Sequence, residues 1–542
     1  MTLKELAFAQ GRHMYPSNVS TTYISILDPA GKTFGDDGKI TEFEPVLLAL
    51  PSLSPALAVE VNAFASSDYP LVFKLPLLVE SITYYKLDIL KVLPYGLTFH
   101  RIIVQADGRT HDIVIGPEDP TGHVTQKYTN TIIGRYANRI PVGKHSLERN
   151  GYKAEFEAMA NGGLFLPKTS FVFWFSRNTE THHGALTENP RVSLHGGPQG
   201  FNTRTFSLID ISISSSAPPT LFSKAELARL TASSSNAEYP SSFALFRHTS
   251  PSGDQGYPGT LLVEALIALI PPAHRPMTYL KPGESVEESK TESALGSIVY
   301  VYRAKLLDGE VTAVNLTNHW GFNLDASLNK ESTELADVKG HTLLMKADRI
   351  VARDADSLNT GNFISTSSAA EHNHNGKKIG EGYPEAGYDD YYVFQPQTVN
   401  IPKRVSISSL SSSDFDLVKD LLTPAIPNQA AQGARSPTVV ELASTKSGLK
   451  LSFDTNQSGA MFYSNGLSNA NSGARKKIHG GSGIKDHGDA YTPGTAAFLE
   501  FHDILSAFLD PSNKDKEDTL LTRDELYNNY VRCDVVYRAP RA

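Results

Sequence analysis

The sequence predicts an all-β protein. Short runs of β-branched and aromatic residues alternate with Gly, Pro, Asn and Asp punctuation, and long stretches of helical periodicity are rare. The strand-like runs, in chain order, include THDIVIG at 110–116, TSFVFWF at 169–175, GSIVYVYRAKLL at 296–307, GLKLSFDT at 448–455 and CDVVYRA at 533–539. Two short helices are expected, SKAELARLTA at 223–232 and TRDELYNNYV at 522–531. In the second, Thr522 and Glu525 have the spacing of a capping box. Segments 177–190, 209–242, 270–295, 366–382 and 468–489 combine Ser, Pro, Asn and charge with little periodicity and read as surface insertions. No internal repeat stands out. This favours one large β domain over residues 86–542, preceded by an N-terminal extension, residues 1–85, of unassigned role that can supply extra strands through VFKLP and SITYYKLDIL.

With 542 residues and 40% hydrophobic content the chain can bury a large core. A net charge of −8 argues against a nucleic-acid partner, which requires concentrated Lys and Arg. The one cysteine, Cys533, allows neither an intrachain disulfide nor a thiolate metal cluster and fits a reducing compartment. Lys4, Glu5 and Arg12 interrupt what a secretory signal would need as an apolar stretch, and the longest apolar run, TLLVEALIALI, contains Glu264 and is too short to span a bilayer. The expectation is a cytoplasmic protein without a membrane partner, its oligomeric state open.

Five islands set unusual polar residues among strand-like flanks. GRYANRI at 134–140 carries Asn138 and Arg139, for which an arginine paired with a carboxylate is the plain structural reading. SLHGGPQGF at 193–201 ends a short strand at His195, followed by glycines that allow close backbone approach. NLTNHWGFNL at 315–324 sets His319 beside Trp320, and an imidazole next to an aromatic suits a sugar, whose ring face stacks while its hydroxyls need directed partners. GYDDYYVF at 387–394 brings Asp389 into an aromatic strand, either as a turn residue or as an acceptor for two hydroxyls. AAFLEFHD at 496–503 places Glu500 after four apolar residues, and a glutamate is rarely buried there unless paired or functional.

Taken in this order, the islands resemble the aldose 1-epimerase (galactose mutarotase) family. The resemblance starts at LPYGLTFHRIIVQADGRTHDIVIG, residues 93–116, and also takes in SPSGDQGYPG at 250–259, ADRIVARDADSLNTG at 347–361 and MFYSNG at 461–466, so that it covers roughly residues 90–540. It implies a galactose mutarotase-like β-supersandwich with a sugar cleft, and the interconversion of α and β anomers of free hexoses such as glucose and galactose. By similarity, Glu500 is the general base and His319 the general acid, Arg139, His195 and Asp389 hold sugar hydroxyls with Asn138 beside them, and no cofactor or metal is implied. At neutral pH such a pair is expected to work with Glu unprotonated and a His of modestly raised pKa holding its proton.

The chain also departs from the family pattern. Trp320 and Gly321 stand where the family has Ser and Tyr in TNHSYFNL, Met461 replaces a sugar-contacting Gln, and LEFH at 499–502 replaces LETQ. Three other readings are a sugar-binding or regulatory protein with weak turnover, a hexose 6-phosphate 1-epimerase using Arg135 as well as Arg139 for the phosphate, and a glycosidase with Asp389 and Glu500 as its carboxylate pair. Retention of both an acid and a base favours the epimerase.

Overall fold

The computed structural model describes residues 42–49, 86–161, 190–211, 219–235, 241–272, 292–329, 335–397, 400–424 and 438–538. The expected strand at 169–175 and most of the N-terminal segment lie outside these residues. Strands dominate the rest, and among the described residues there is one α-helix, Lys224–Ser235. No helix among them is long and apolar enough to cross a membrane.

Two antiparallel sheets form the body. The larger runs in the order Ser207–Leu208, Ser242–Ser250, Leu261–Ile270, Ser293–Leu306, Glu525–Tyr537, Leu449–Thr455, Val440–Ala443, Thr342–Met345 and Asn375–Lys378, with Arg404–Ser406 also paired to Glu525–Tyr537. The second, here called the floor sheet, runs Trp320–Phe322, Ala497–His502, Gly459–Tyr463, Asp389–Phe394, Ala347–Arg353 and Asn359–Ser365. A smaller sheet joins Val46–Ala49, Lys86–Leu93, Thr98–Ala106 and Arg109–Asp112.

Strand alternation decides what the floor sheet presents to each side. Leu499 and Phe501 enter the main core, as do Trp320, Phe322, Phe462, Tyr392 and Phe394, where they join Phe99, Tyr300 and Phe453. Each such side chain contributes roughly 1.5–3 kcal/mol by leaving water. The intervening residues, Phe498 and Glu500 among them, are left for the opposite face, which carries the candidate site.

The helix at 224–235 forms where the sequence predicts it, and a capping box lies at its start: Ser223 N donates to Glu226 Oε2 at 2.8 Å and Glu226 N donates to Ser223 Oγ at 3.2 Å. The helix is tied to the large sheet by a fully buried pair in which Arg303 donates to both Glu226 oxygens at 2.7 and 2.6 Å, while its guanidinium lies 4.3 Å over the Phe222 ring. The second expected helix is absent. Residues 522–531 belong to strands Leu520–Thr522 and Glu525–Tyr537, and the latter pairs on both sides inside the large sheet. Thr522 and Glu525 do interact, since Thr522 N and Oγ1 donate to Glu525 Oε2 at 3.1 and 3.0 Å, but across a strand-to-strand turn. Tertiary pairing of Tyr527, Val531, Cys533 and Val535 outweighs the local helical spacing.

Three of the expected surface insertions also turn out to be built into the body. The 209–242 segment contains the helix, and 366–382 contains strand Asn375–Lys378 with His374 and Ile379 buried. In 468–489, Lys476 is fully buried, and its ammonium donates to His100 O, Asp112 Oδ2 and Val114 O at 2.7–2.8 Å. Burial pushes this ammonium down to about 8, against the pull of Asp112. Polar composition reads as solvated surface unless the partners are known, and here the partners lie more than three hundred residues away in sequence.

Breaking the Arg303–Glu226 pair from one side strands a charge in the interior. Glu226→Ala is therefore expected to lower stability by about 3–5 kcal/mol, read as a drop in denaturation midpoint; an unchanged midpoint would show that the pair contributes nothing to holding the helix.

Candidate functional site

The site follows from strand register. Across the floor sheet Gly321 pairs with Phe498, Phe498 with Tyr463, and Tyr463 with Asp389, giving one row of side chains. In the adjacent row on the same face, Glu500 pairs with Met461 and Met461 with Tyr391. Because Trp320 pairs with Leu499, the antiparallel count sets His319 opposite Glu500. Segments 188 residues apart thus meet: Asn315 Nδ2 donates to Asp503 O at 3.0 Å and Asp503 N donates to Asn315 Oδ1 at 3.0 Å, clamping the two together. His319 is held from its other side as well, its N–H bonding Thr131 O and its carbonyl accepting from Asn130 N.

All six residues singled out in the sequence converge here. His319 Nε2 and Glu500 Oε1 are 3.2 Å apart, both buried. The His195 ring stands edge-on to His319 at 5.4 Å. His195 and Asn138 are joined twice, since His195 N donates to Asn138 O at 2.9 Å and Asn138 N donates to His195 Nδ1 at 3.2 Å. Both residues adopt left-handed backbone, with φ of 52° and 61°, a conformation that needs such support in a non-glycine residue. Arg139 donates to Asn138 Oδ1 at 3.3 Å and pairs with Asp389 at 3.5 Å, and Asp389 is also paired with Arg353 at 3.3 Å.

Other residues enter that the sequence reading did not single out. The Tyr128 ring packs 4.8 Å from His195 and 6.5 Å from His319. Asn161 brackets the end of the His195 strand, donating to Leu194 O and accepting from Leu194 N at 2.7 Å each. Phe498 lies 4.7 Å from His319 and Tyr463 6.4 Å. Arg353 sits in a quoted motif, but its partner Asp389 could not be foreseen from spacing. Trp320 corrects the expectation that it stacks on a ligand: it is buried in the core against Phe99 at 5.4 Å and Tyr300 at 6.0 Å, facing away from the site. Strand alternation after His319 sends it there.

Burial also acts on the titration of the central pair. Burial pushes the Glu500 carboxyl well above the usual carboxylate range, with the Asp389 charge adding to the rise and Arg139 opposing it. Burial pushes His319 down to about 3, partly offset by its own backbone carbonyl and helped by His502. Both shifts run toward the neutral form of each group, so burial favours a proton on Glu500 over one on His319. Out of water, two opposite charges side by side cost more than a neutral hydrogen bond. Glu500 Oε2 and His319 Nδ1 are buried with no hydrogen-bond partner, and Met461, opposite Glu500, brings no donor where an amide would.

His195, His319 and Glu500 bring their ligand atoms within 4.8 Å of one another, a donor set of the kind that holds a transition metal. The second contact of His195 does not fit that use. Metal-bound histidines donate their other ring N–H to an acceptor, whereas His195 Nδ1 accepts from Asn138 N, which assigns the ring proton to Nε2 and makes it a hydrogen-bond donor. The donor set suits hydroxyls better than an ion. Arg135, the expected phosphate ligand of one alternative, is committed elsewhere: it is 2% exposed and donates to Ser250 Oγ and to the carbonyls of Ser250, Pro251, Pro258 and Gly259.

The aldose 1-epimerase family profile matches residues 296–485. Galactose mutarotase of Bos taurus is 26% identical over 281 residues, 52% of this chain and 55% of that protein. Aldose 1-epimerase of Haemophilus influenzae is 24% identical over 266 residues, 49% of this chain and 52% of that protein. The chain spans about half the length of the curated relatives it matches. The crystal structure of an aldose epimerase homologue from C. elegans superposes with a TM-score of 0.50 at 17% identity, covering 84% of this chain and 97% of that one. The fold is the galactose mutarotase-like β-supersandwich.

Between the ordinary Glu value and the raised value of Glu500, the native state keeps a proton that the unfolded chain has released, so this group's contribution to stability falls as pH rises through that window. Glu500→Gln removes the titration and keeps the shape. The melting temperature of the variant relative to wild type is expected to rise as pH climbs above the ordinary Glu value; a difference that stays flat or falls would contradict the raised Glu500 carboxyl.

Proposed function

We propose that this chain is a member of the aldose 1-epimerase family, which it resembles in profile and fold, and that it interconverts the α and β anomers of a free hexose by opening and reclosing its ring. The observation that carries the reading is the buried contact of Glu500 Oε1 with His319 Nε2 at 3.2 Å, with an unpartnered atom on each side chain. Binding alone needs no such pair. Moving its proton from Glu500 to His319 generates a carboxylate base and an imidazolium acid side by side, and the sugar's hydroxyls supply polar partners that offset the charge separation.

In the proposed cycle the Glu500 carboxylate removes the proton of the anomeric hydroxyl. The electron pair released forms the C1 carbonyl as the bond from C1 to the ring oxygen breaks, and His319 delivers its proton to that oxygen. Rotation about the bond between C1 and C2 turns the other face of the aldehyde toward the freed hydroxyl. His319 then takes the hydroxyl proton as it adds to C1, and Glu500 returns its proton to the new anomeric oxygen. Nothing is consumed. In this scheme Arg139 and His195 Nε2–H donate to sugar hydroxyls, Asp389 accepts from them, and Asn138 holds Arg139 and His195 in place.

A neutral sugar is favoured over a sugar phosphate. Arg135 is saturated by the 250–259 loop, and Arg139 and Arg353 both face Asp389. A cytoplasmic setting accompanies this reading, supported by the single buried cysteine, Cys533.

The test is polarimetry of freshly dissolved α-glucose and α-galactose. Wild-type protein is expected to hasten the approach to anomeric equilibrium, and Glu500→Gln and His319→Asn each to lose roughly 10²–10⁴-fold in rate. Wild-type protein that matches buffer at high concentration would leave a sugar-binding role instead.

A further inference from the structure

The strand that carries Glu500 also supports the acid. Gly321 and Phe498 face each other on adjacent strands, in the row next to that of His319 and Glu500. A Cβ at residue 321 would come within 2.6 and 2.7 Å of Phe498 Cε1 and Cζ, so the phenyl ring occupies the volume that a side chain at 321 would take. Glycine has been accommodated here for space, not for backbone, since Gly321 is absent from the positive-φ glycines. The ring that fills this volume is 3% exposed, tilted against the His319 imidazole at 4.7 Å between centroids, and backed by Tyr463 at 5.5 Å. Ile115, Tyr491 and Ala496 pack with it in one buried cluster.

We infer that Phe498 is a positioning residue for His319: its ring, admitted by Gly321, fixes the plane of the imidazole against Glu500 and keeps water from that side of it. The family motif has an aromatic residue at the position of Gly321; this chain supplies an aromatic ring to the same place from the neighbouring strand. The consequence is directional. The imidazole has its Nε2 on Glu500, His195 edge-on, and Phe498 against its face, so loss of the phenyl frees the ring to tilt and admits solvent. A displacement of about 1 Å between acting groups can cost about 10²-fold in rate.

This inference rests on the epimerase reading for its kinetic consequence but not for its titration. Phe498→Ala is expected to lower kcat by about 10²-fold with KM changed little, and to move the His319 imidazole proton resonance titration by NMR toward the ordinary histidine range. Phe498→Leu, which keeps most of the volume, covers the case in which the alanine variant does not fold, with losses in the same direction. The decisive variant is the swap Gly321→Tyr with Phe498→Ala, which returns an aromatic ring to the same space from the other strand. It is expected to recover at least about tenfold of the lost kcat and to restore the low titration. Folded single variants with wild-type kcat and an unmoved His319 titration would overturn the inference, as would a folded swap variant no better than Phe498→Ala. If wild-type protein has no epimerase activity, the functional reading fails, and the His319 titration alone decides the role of Phe498.

Discussion

The register of three adjacent strands is the constraint on which the site depends. Trp320 pairs with Leu499 and Met461 with Glu500, so a slip of one residue would send Glu500 into the core and Leu499 into the site. The core enforces that register, because Trp320, Leu499, Phe501 and Phe462 all interlock on the buried side of the sheet. Packing on one face thereby fixes chemistry on the other. Glu500 and His319 are then brought out of water together, and their shared burial raises the carboxyl, lowers the imidazole and leaves polar atoms on both without partners.

Loops complete what the sheet begins. Asn138 and His195 lie on different segments, both in left-handed backbone, and each stabilises the other through the two hydrogen bonds between them. That link aims the His195 N–H and, through Asn138 Oδ1, orients Arg139 toward Asp389. Asn161 and Asn315 do comparable work one layer out, using both ends of an amide to tie a backbone segment. The result is a donor and acceptor set held by hydrogen bonds, on rigid strands where small errors in placement are suppressed.

Much of this was legible in the sequence, for identifiable reasons. Alternation and turn residues marked the strands at 296–307, 448–455 and 496–503, and polar residues interrupting such runs marked His319, Asp389 and Glu500. The misreadings came from long-range partners. Thr522 and Glu525 carry helix-cap spacing, but pairing within the large sheet decides their structure. Segment 468–489 reads as a surface insertion because Asp112, the partner of its Lys476, is remote in sequence. Trp320 reads as a ligand platform from its neighbour His319, yet strand alternation turns it into the core, and Tyr128 lies in TQKYTN, which carries no periodic signal. The sign of the pKa shifts on Glu500 and His319 also depended on burial, which sequence does not supply.

Two-dimensional proton exchange NMR of galactose at anomeric equilibrium in heavy water tests the central claim most directly, because it observes ring opening and closing without net reaction. Acid–base ring opening predicts exchange cross-peaks between the α and β anomeric protons in the presence of the protein, with no deuterium entering at C1 or C2. Absence of protein-dependent exchange, or loss of those proton signals to deuterium, would contradict it.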